Sequence, residues 1–251
     1  MSSTAALGID IGATGIKAAI VNLANGEFVS SKVKMGTPEG GDPDDMAAVI
    51  KSVIQKLNWQ GKVGCGFPGI IHHGVCKSTA NISKRWYNLD VPDFLSKKTG
   101  GLPFKVANDA DLAGLAELEY CAAGIPASGT VIFLTIGTGI GSALFYDGRL
   151  IPNTEFGHLY YKKNSYELYI SNSARKRRKL SWNKWAVAFS HYLDHLNLLF
   201  SPDLIILGGG ISKQFNSWGK LLTTRVPVQP ATLENNAGII GAAALWHGEV
   251  K

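Results

Sequence analysis

The sequence predicts an α/β protein of two lobes with a cleft between them, and two observations carry that prediction. Short apolar runs with strand character alternate with helix-periodic stretches along the 251 residues. One strand–glycine turn–strand unit also occurs twice. Residues 11–20 read Ile-Gly-Ala-Thr-Gly-Ile-Lys-Ala-Ala-Ile, and residues 136–144 read Ile-Gly-Thr-Gly-Ile-Gly-Ser-Ala-Leu. Such an internal repeat predicts one architecture built in each half, with the two turns facing each other across the cleft.

The elements follow in order. A first strand, Ala6–Ile11, ends in the turn Gly12-Ala13-Thr14-Gly15. A second, Ile16–Val21, stops at the hairpin dipeptide Asn25-Gly26. Asp44 or Asp45 caps a helix whose Met46, Val49, Ile50, Val53, Ile54 and Leu57 recur with helical period. Lys62–Phe67 is a strand ending in Pro68-Gly69, and Pro103–Ala107 is a strand followed by Asn108-Asp109-Ala110-Asp111 and a helix through Leu115 and Leu118. Asn153–Tyr160 is a polar loop. Ser181 caps a helix with an apolar stripe of Trp185, Phe189, Tyr192, Leu196 and Leu199, ended by Ser201-Pro202-Asp203. Leu204–Leu207 is a buried strand leading into Gly208-Gly209-Gly210, and an alanine-rich helix runs from about Gly238 to Trp246. The expected division is a smaller lobe over residues 1–108 and a larger one over 109–237, with the helix over 238–251 packing back on the first.

Composition narrows the classes. The chain is 45% hydrophobic and 18% charged, which suits a soluble globular protein, and its 29 glycines cluster beside apolar runs where backbone approaches ligands. The longest apolar-or-glycine run, Ala237–Trp246, falls far short of the roughly 20 residues of a spanning helix, so no membrane partner is expected. Met1–Ala6 carries no secretory signal pattern. Cys65, Cys76 and Cys121 are odd in number and form no CxxC pair, which points to a reducing, cytoplasmic setting. Net charge is +6, and it is concentrated: residues 160–185 hold eight Lys or Arg against one Glu, with Arg175-Lys176-Arg177-Arg178-Lys179 at the centre. That segment is either a solvated face or a seat for a polyanion.

Several residues are suited to chemistry. Glycine turns between strands expose consecutive backbone N–H groups that hold anions, so Gly12, Ala13, Thr14, Gly15 and Lys17 in the first turn and Gly137, Thr138 and Gly139 in the second are candidates for a phosphoryl-donor cradle. Neither turn fits the Walker A loop or the dinucleotide fingerprint. Asp10 has the wrong sign for direct phosphate contact and the right sign for Mg²⁺, directly or through its water shell. Asn108 and Asp109 follow a strand and open a helix. Capping needs only one of them, so Asp109 is the candidate general base and Asp111 a first-turn residue favoured by the helix dipole. Glu155 and His158 offer a carboxylate and an imidazole three residues apart, suited to neighbouring hydroxyls of a sugar. His191 and His195 share a helical face without the remaining ligands of a zinc protease and are assigned to structure; His72 and His73 receive no role.

Together these segments resemble the ROK family of sugar kinases, and within it the branch that uses polyphosphate. The resemblance rests on residues 10–17, Gly66-Phe67-Pro68-Gly69, Thr79-Ala80-Asn81, residues 108–111, residues 137–144 and residues 152–158. Ser173-Ala174-Arg175, Leu180-Ser181-Trp182, Ser201-Pro202-Asp203 and Gly208-Gly209-Gly210 extend it nearly to the C-terminus. It implies an actin/hexokinase-like fold, a duplicated ribonuclease H-like unit with an interdomain cleft. The implied activity is transfer of the terminal phosphoryl group of inorganic polyphosphate to the 6-hydroxyl of glucose. By resemblance Asp109 deprotonates that hydroxyl, while Gly69, Asn81, Asn108, Glu155 and His158 hold the sugar. The glycine turns, with Gly209 and Gly210, cradle the donor, and Arg175–Lys179 lines its exit. Mg²⁺ and a homodimer are also implied.

Two departures from the family pattern matter. Ala13 stands where a glycine is common, placing a methyl near the donor. No cysteine follows Cys121, whereas typical members carry a cysteine-rich zinc motif after the Gly-His, so no structural zinc is expected. Rival readings are an ATP-dependent hexose or N-acetylhexosamine kinase and a sugar-sensing regulator. The latter needs a helix-turn-helix that the five residues before the first strand do not supply. A third rival, a nucleic-acid-binding module using the basic run, is set aside: no nucleic-acid partner is expected.

Overall fold

The computed structural model describes residues 4–79, 82–121 and 124–247. The chain divides into two compact units, Met1–Tyr120 with Asn236–Lys251, and Cys121–Asn235. The first division falls after Tyr120 rather than after Asn108 as the sequence suggested.

The first unit contains β1 (Ala5–Gly12), β2 (Gly15–Asn22), β3 (Val33–Met35), α1 (Pro43–Lys56), β4 (Val63–Phe67), the small hairpin of β5 (Ile71–His72) and β6 (Val75–Cys76), α2 (Val91–Lys98), β7 (Phe104–Asn108) and α3 (Asp109–Tyr120). The second contains β8 (Thr130–Ile136), β9 (Ile140–Tyr146), β10 (Arg149–Ile151), the hairpin of β11 (Tyr160–Tyr161) and β12 (Asn164–Ser165), α4 (Glu167–Ile170), α5 (Asn172–Arg177), α6 (Trp182–Phe200), β13 (Leu204–Gly208), α7 (Phe215–Trp218) and β14 (Val228–Pro230). The chain then returns to the first unit as α8 (Ala237–Ala244).

Duplication extends from the turns to the whole sheets. Their strand orders are β3-β2-β1-β4-β7 and β10-β9-β8-β13-β14. In each, three strands form an antiparallel meander and two more add in parallel. Alternation along β1 explains how the first sheet is covered. Leu7, Ile9 and Ile11 point to a core shared with Met46, Ile50 and Val53 of α1 and with Trp86. The even residues Gly8 and Asp10 point to α8. Gly8 and Gly64 must be glycine here, because a Cβ on either would collide with the carbonyl of Ile239 or Ala242. Backbone contact this close lets α8 lie flat on the sheet, and α3 packs beside it through Gly241. That packing places α3 in the first unit. The second core is aromatic, built from Trp185, Phe189, Tyr192 and Trp218. The indole N–H groups of Trp185 and Trp218 are satisfied by the carbonyls of Ile170 (2.7 Å) and Ile211 (3.2 Å).

Two local expectations are corrected. The α1 cap is Asp42, whose carboxylate accepts the Asp44 N–H at 3.1 Å; Pro43 then fills the first helical position, where a missing N–H costs nothing. The second strand ends at Asn22 and the chain turns back at Asn25-Gly26 as expected, with the Gly26 N–H donating to the Asn22 carbonyl and Val21 bridging Phe28. On α6, Leu199 is half exposed and Leu193 takes the buried place in the stripe. The Ser181 cap stands, accepting the Lys184 N–H.

Candidate functional site

In the first unit the β1–β2 hairpin closes with Gly12 opposite Gly15, leaving Ala13 and Thr14 exposed at the tip. Thr37 Oγ1 donates to the Gly12 carbonyl at 2.6 Å and fixes the turn from the side. Asp10 and Lys17 are cross-strand partners behind the tip, and their side chains meet at 3.1 Å with the carboxylate only 16% exposed. Gly238 of α8 lies against that carboxylate; a Cβ there would sit 2.9 Å from it. A single carboxylate beside a turn of backbone N–H groups suits Mg²⁺, which takes one or two carboxylates and completes its shell with phosphates and water. The residues present therefore fit a divalent cation that arrives with a phosphoryl donor. Among the described residues no three of His, Cys, Asp and Glu converge on a metal position.

The end of β7 is a second centre in the same unit. Asn108 is buried and committed on both sides: its Oδ1 accepts the N–H groups of Ala110 (2.8 Å) and Asp111 (3.2 Å), while its amide donates to the Gly69 carbonyl at 3.3 Å. Asn108 is thus the cap of α3 and ties it to the loop after β4. Asp109, the first helical residue, is half-buried and accepts the Ala110 N–H at 2.8 Å through one oxygen. Asp111 is fully buried in the first turn, which separates the two acids as the sequence suggested. Asn81 lies outside the described residues.

The second unit surrounds its glycine turn more closely. Gly137 N–H donates to the Gly139 carbonyl at 3.0 Å, and the Gly137 carbonyl accepts from Ser173 of α5. Gly209, at φ +79°, presses on the Ile136 backbone, so the third glycine run adjoins this turn. Ser142 of β9 fastens the polar loop: its hydroxyl donates to the Thr154 carbonyl and accepts the Phe156 N–H. Gly157 allows the loop to approach, since a Cβ would strike the Ile140 carbonyl. These bonds place Glu155 and His158 beside the turn. Burial pushes the Glu155 carboxyl up; nearby His158 opposes that shift and Glu167 adds to it.

Glu167 is the functional candidate that sequence reasoning missed. One of its oxygens accepts the Ile140 N–H at 3.2 Å, at the exit of the glycine turn, and the other lies 3.3 Å from His158 Nε2. It therefore couples the turn to the loop. The only available signal was its being the one acid among eight cations between residues 160 and 185.

The basic segment is less free than its sequence suggests. Arg175 stacks on Trp182 at 3.8 Å, and Arg177 and Arg178 donate to the carbonyls of Leu168 (3.0 Å) and Tyr169 (2.9 Å). The latter two arginines brace α4, which carries Glu167. Lys176 and Lys179 are exposed, and among the described residues their side chains make no hydrogen bond or ion pair.

A ROK family model matches residues 6–174. The chain is 42% identical over 236 residues to the polyphosphate glucokinase of Mycobacterium tuberculosis strain H37Rv, covering 94% of this chain and 89% of that protein. The crystal structure of inorganic polyphosphate/ATP-glucomannokinase from Arthrobacter sp. strain KM is 43% identical, with a TM-score of 0.90 and coverage of 97% of this chain and 98% of that one. A ROK family glucokinase from Streptomyces griseus, solved with glucose and AMPPNP, shares the fold at a TM-score of 0.77 and 23% identity, over 96% of this chain and 98% of that one.

Proposed function

The chain belongs to the ROK family, and from that premise we propose that it is a polyphosphate-dependent glucokinase. It transfers the terminal phosphoryl group of inorganic polyphosphate to the 6-hydroxyl of glucose. The observation that carries this reading is near-full-length identity of 42–43% to two enzymes whose names specify polyphosphate. Its two-unit actin/hexokinase-like fold is that of a sugar kinase.

In the chemistry, Asp109 accepts the 6-hydroxyl proton as the oxygen attacks phosphorus. One of its oxygens accepts the Ala110 N–H, a bond that holds the carboxylate at the start of α3. Glu155 and His158 take further hydroxyls, and Glu167 holds His158 in place. The two glycine turns, with Gly209 and Gly210, supply backbone N–H donors to a transferring group whose charge sits on its equatorial oxygens. Mg²⁺, when bound, neutralises donor oxygens, and Asp10 would hold it directly or through water. Lys17 balances Asp10 and adds a cation to the donor side. Asn108 and Gly69, joined by a hydrogen bond beside the base, are assigned to the sugar, and Asn81 is assigned to it by family resemblance alone. The trailing chain of a long donor lies on the exposed cations of residues 175–179. A reducing cytoplasm suits the three free thiols, and a homodimer is the proposed assembly. Among the described residues no helix is long and apolar enough to cross a membrane.

A second donor, ATP, is supported by the Arthrobacter relative, whose name includes it. Glucose 6-phosphate formation measured with polyphosphate and with ATP in parallel tests both. Product from polyphosphate supports the proposal; product from ATP alone rejects it.

A further inference from the structure

A row of charged side chains crosses the first sheet. Asp10 on β1 pairs in register with Lys17 on β2, and Lys17 pairs with Lys34 on β3. Residues directly opposite in antiparallel strands point to the same face, so all three emerge on the side that α8 covers. Lys32, which precedes β3, reaches the same side, since its ammonium bonds Asn236 just before α8.

The row is unbalanced. Lys17 spends its charge on Asp10 at 3.1 Å. Lys34 is exposed, and among the described residues it has no acidic partner. Its stem is laid across the first glycine turn: a Cβ on Gly15 would sit 2.7 Å from Lys34 Cε and 3.5 Å from its Cγ. The ammonium, one bond beyond Cε, is therefore delivered to the flank of the turn. Lys32 Nζ is fixed at 3.0 Å from Asn236 Oδ1, just before α8, and meets a neutral amide rather than a carboxylate. Three ammonium groups thus share one carboxylate. Placing Lys34 directly opposite Lys17 opposes strand pairing, since like charges face each other.

We propose that Lys34 on the edge strand β3 and Lys32, just before that strand, form a donor-binding track, which holds the phosphates of a polyphosphate chain that follow those seated at the Gly12–Gly15 turn. The inference rests on the polyphosphate reading of the same site. Its geometry suits a repeating anion. Lys17 and Lys34 stand opposite each other, about 5 Å apart across the ladder, and Lys32 lies two residues before Lys34, roughly 7 Å away if the chain stays extended. Positions so spaced match every second or third phosphate of a linear chain. A nucleoside triphosphate ends its charge after three phosphates, so the track selects for donor length. This track belongs to the first unit and is separate in sequence and in fold from residues 175–179. The competing explanation is that edge-strand lysines only prevent unwanted strand pairing.

The test uses the full chain with Lys34→Gln, Lys32→Gln/Lys34→Gln and the charge-preserving Lys34→Arg, and Lys51→Gln on exposed α1 as a control. Initial rates are measured against long-chain polyphosphate, tripolyphosphate, ATP and glucose at several salt concentrations, with melting curves for each protein. The double variant should raise the KM for long-chain polyphosphate about five- to twentyfold and flatten its salt dependence, because fewer counterions are displaced. The KM values for glucose and ATP should move less than twofold, Lys34→Arg should restore most of the affinity, and the melting temperature should not fall. An unchanged polyphosphate KM in the double variant, with wild type active on polyphosphate, leaves the lysines as edge guards and overturns this proposal alone. Equal losses toward every donor also overturn it. A wild type that makes no glucose 6-phosphate from polyphosphate overturns the functional reading and the track together.

Discussion

The hairpin at Gly12–Gly15 and the hairpin at Gly137–Gly139 occupy the same position in sheets of the same strand order. Their charges come from different places. In the first, the acid and its counter-ion are strand residues: Asp10 faces Lys17 in the ladder itself. At the corresponding rungs of the second stand Thr135 and Gly141, which carry no charge. There the carboxylate is brought in by Glu167 of α4, whose oxygen accepts the Ile140 N–H 27 residues away in sequence. The ends of the sheets differ as well. β7 runs into Asn108-Asp109 and α3, whereas β14 runs into Ala231 with no acid at that corner. A duplicated frame thus carries an acid at one strand end only and two differently charged turns.

The largest expected effect tests that single corner. Asp109→Asn keeps shape and capping capacity and removes the proton acceptor, so kcat should fall by at least about 100-fold while glucose still binds. Turnover near wild type, followed in a coupled glucose 6-phosphate assay, would move the base elsewhere.

Next in size is the imported carboxylate. Glu167→Gln weakens a charge-assisted bond to the Ile140 N–H and its hold on His158, a loss of about 1.5–3 kcal/mol. Glucose kcat/KM should drop roughly tenfold or more. Asp10→Asn should act mainly on the divalent-metal and donor dependence. If the two variants gave the same kinetic pattern, the contrast between the turns would collapse.

A smaller effect is the pH response of Glu155, whose ionised form is proposed to accept sugar hydroxyls. Because burial raises its pKa above 4.5, glucose affinity should weaken as pH falls through that raised value, and Glu155→Gln should abolish the response in calorimetric titrations. The sign for stability is opposite. The folded chain binds this proton more tightly than the unfolded chain, so the Glu155 contribution is full below 4.5 and is lost as pH rises through the raised value.

The smallest effect separates the two roles inside the basic segment. Lys176→Gln/Lys179→Gln removes exposed charge, worth about 1 kcal/mol or less at each site, and should raise the KM for long polyphosphate two- to fivefold. Arg177→Ala/Arg178→Ala instead frees the carbonyls of Leu168 and Tyr169 and loosens the helix that presents Glu167. That variant should lose glucose affinity and melt earlier. Identical behaviour of the two double variants would return the whole segment to a solvated face.

Much of this was legible from local pattern. The strand–turn–strand units, the Asn108-Asp109 corner and the Ser181 cap are decided within a few residues, by glycine at the turns and by side chains that bond their own backbone. The α1 cap was misplaced by two or three residues because three acids compete in Asp42-Pro43-Asp44-Asp45, and the proline settles the matter through its missing N–H. Locally Glu167 is marked only as the one acid among eight cations, and its role stays hidden because its partners lie 27 residues and 9 residues earlier in the chain.

The sequence by itself determined the duplicated α/β frame, the two anion-ready turns, the acid after β7 and the concentration of positive charge. These follow from hydrophobic period, turn chemistry and composition, all short-range properties. Tertiary structure alone decided which charges are spent and which remain available. Arg175, Arg177 and Arg178 are consumed by an indole ring and backbone carbonyls, Lys17 by Asp10, while Lys34 is left unmatched over Gly15. The physical reason is that a side chain's electrostatic role depends on what lies within a few ångströms of its terminal atoms, and that is set by strand register and helix docking between residues remote in sequence.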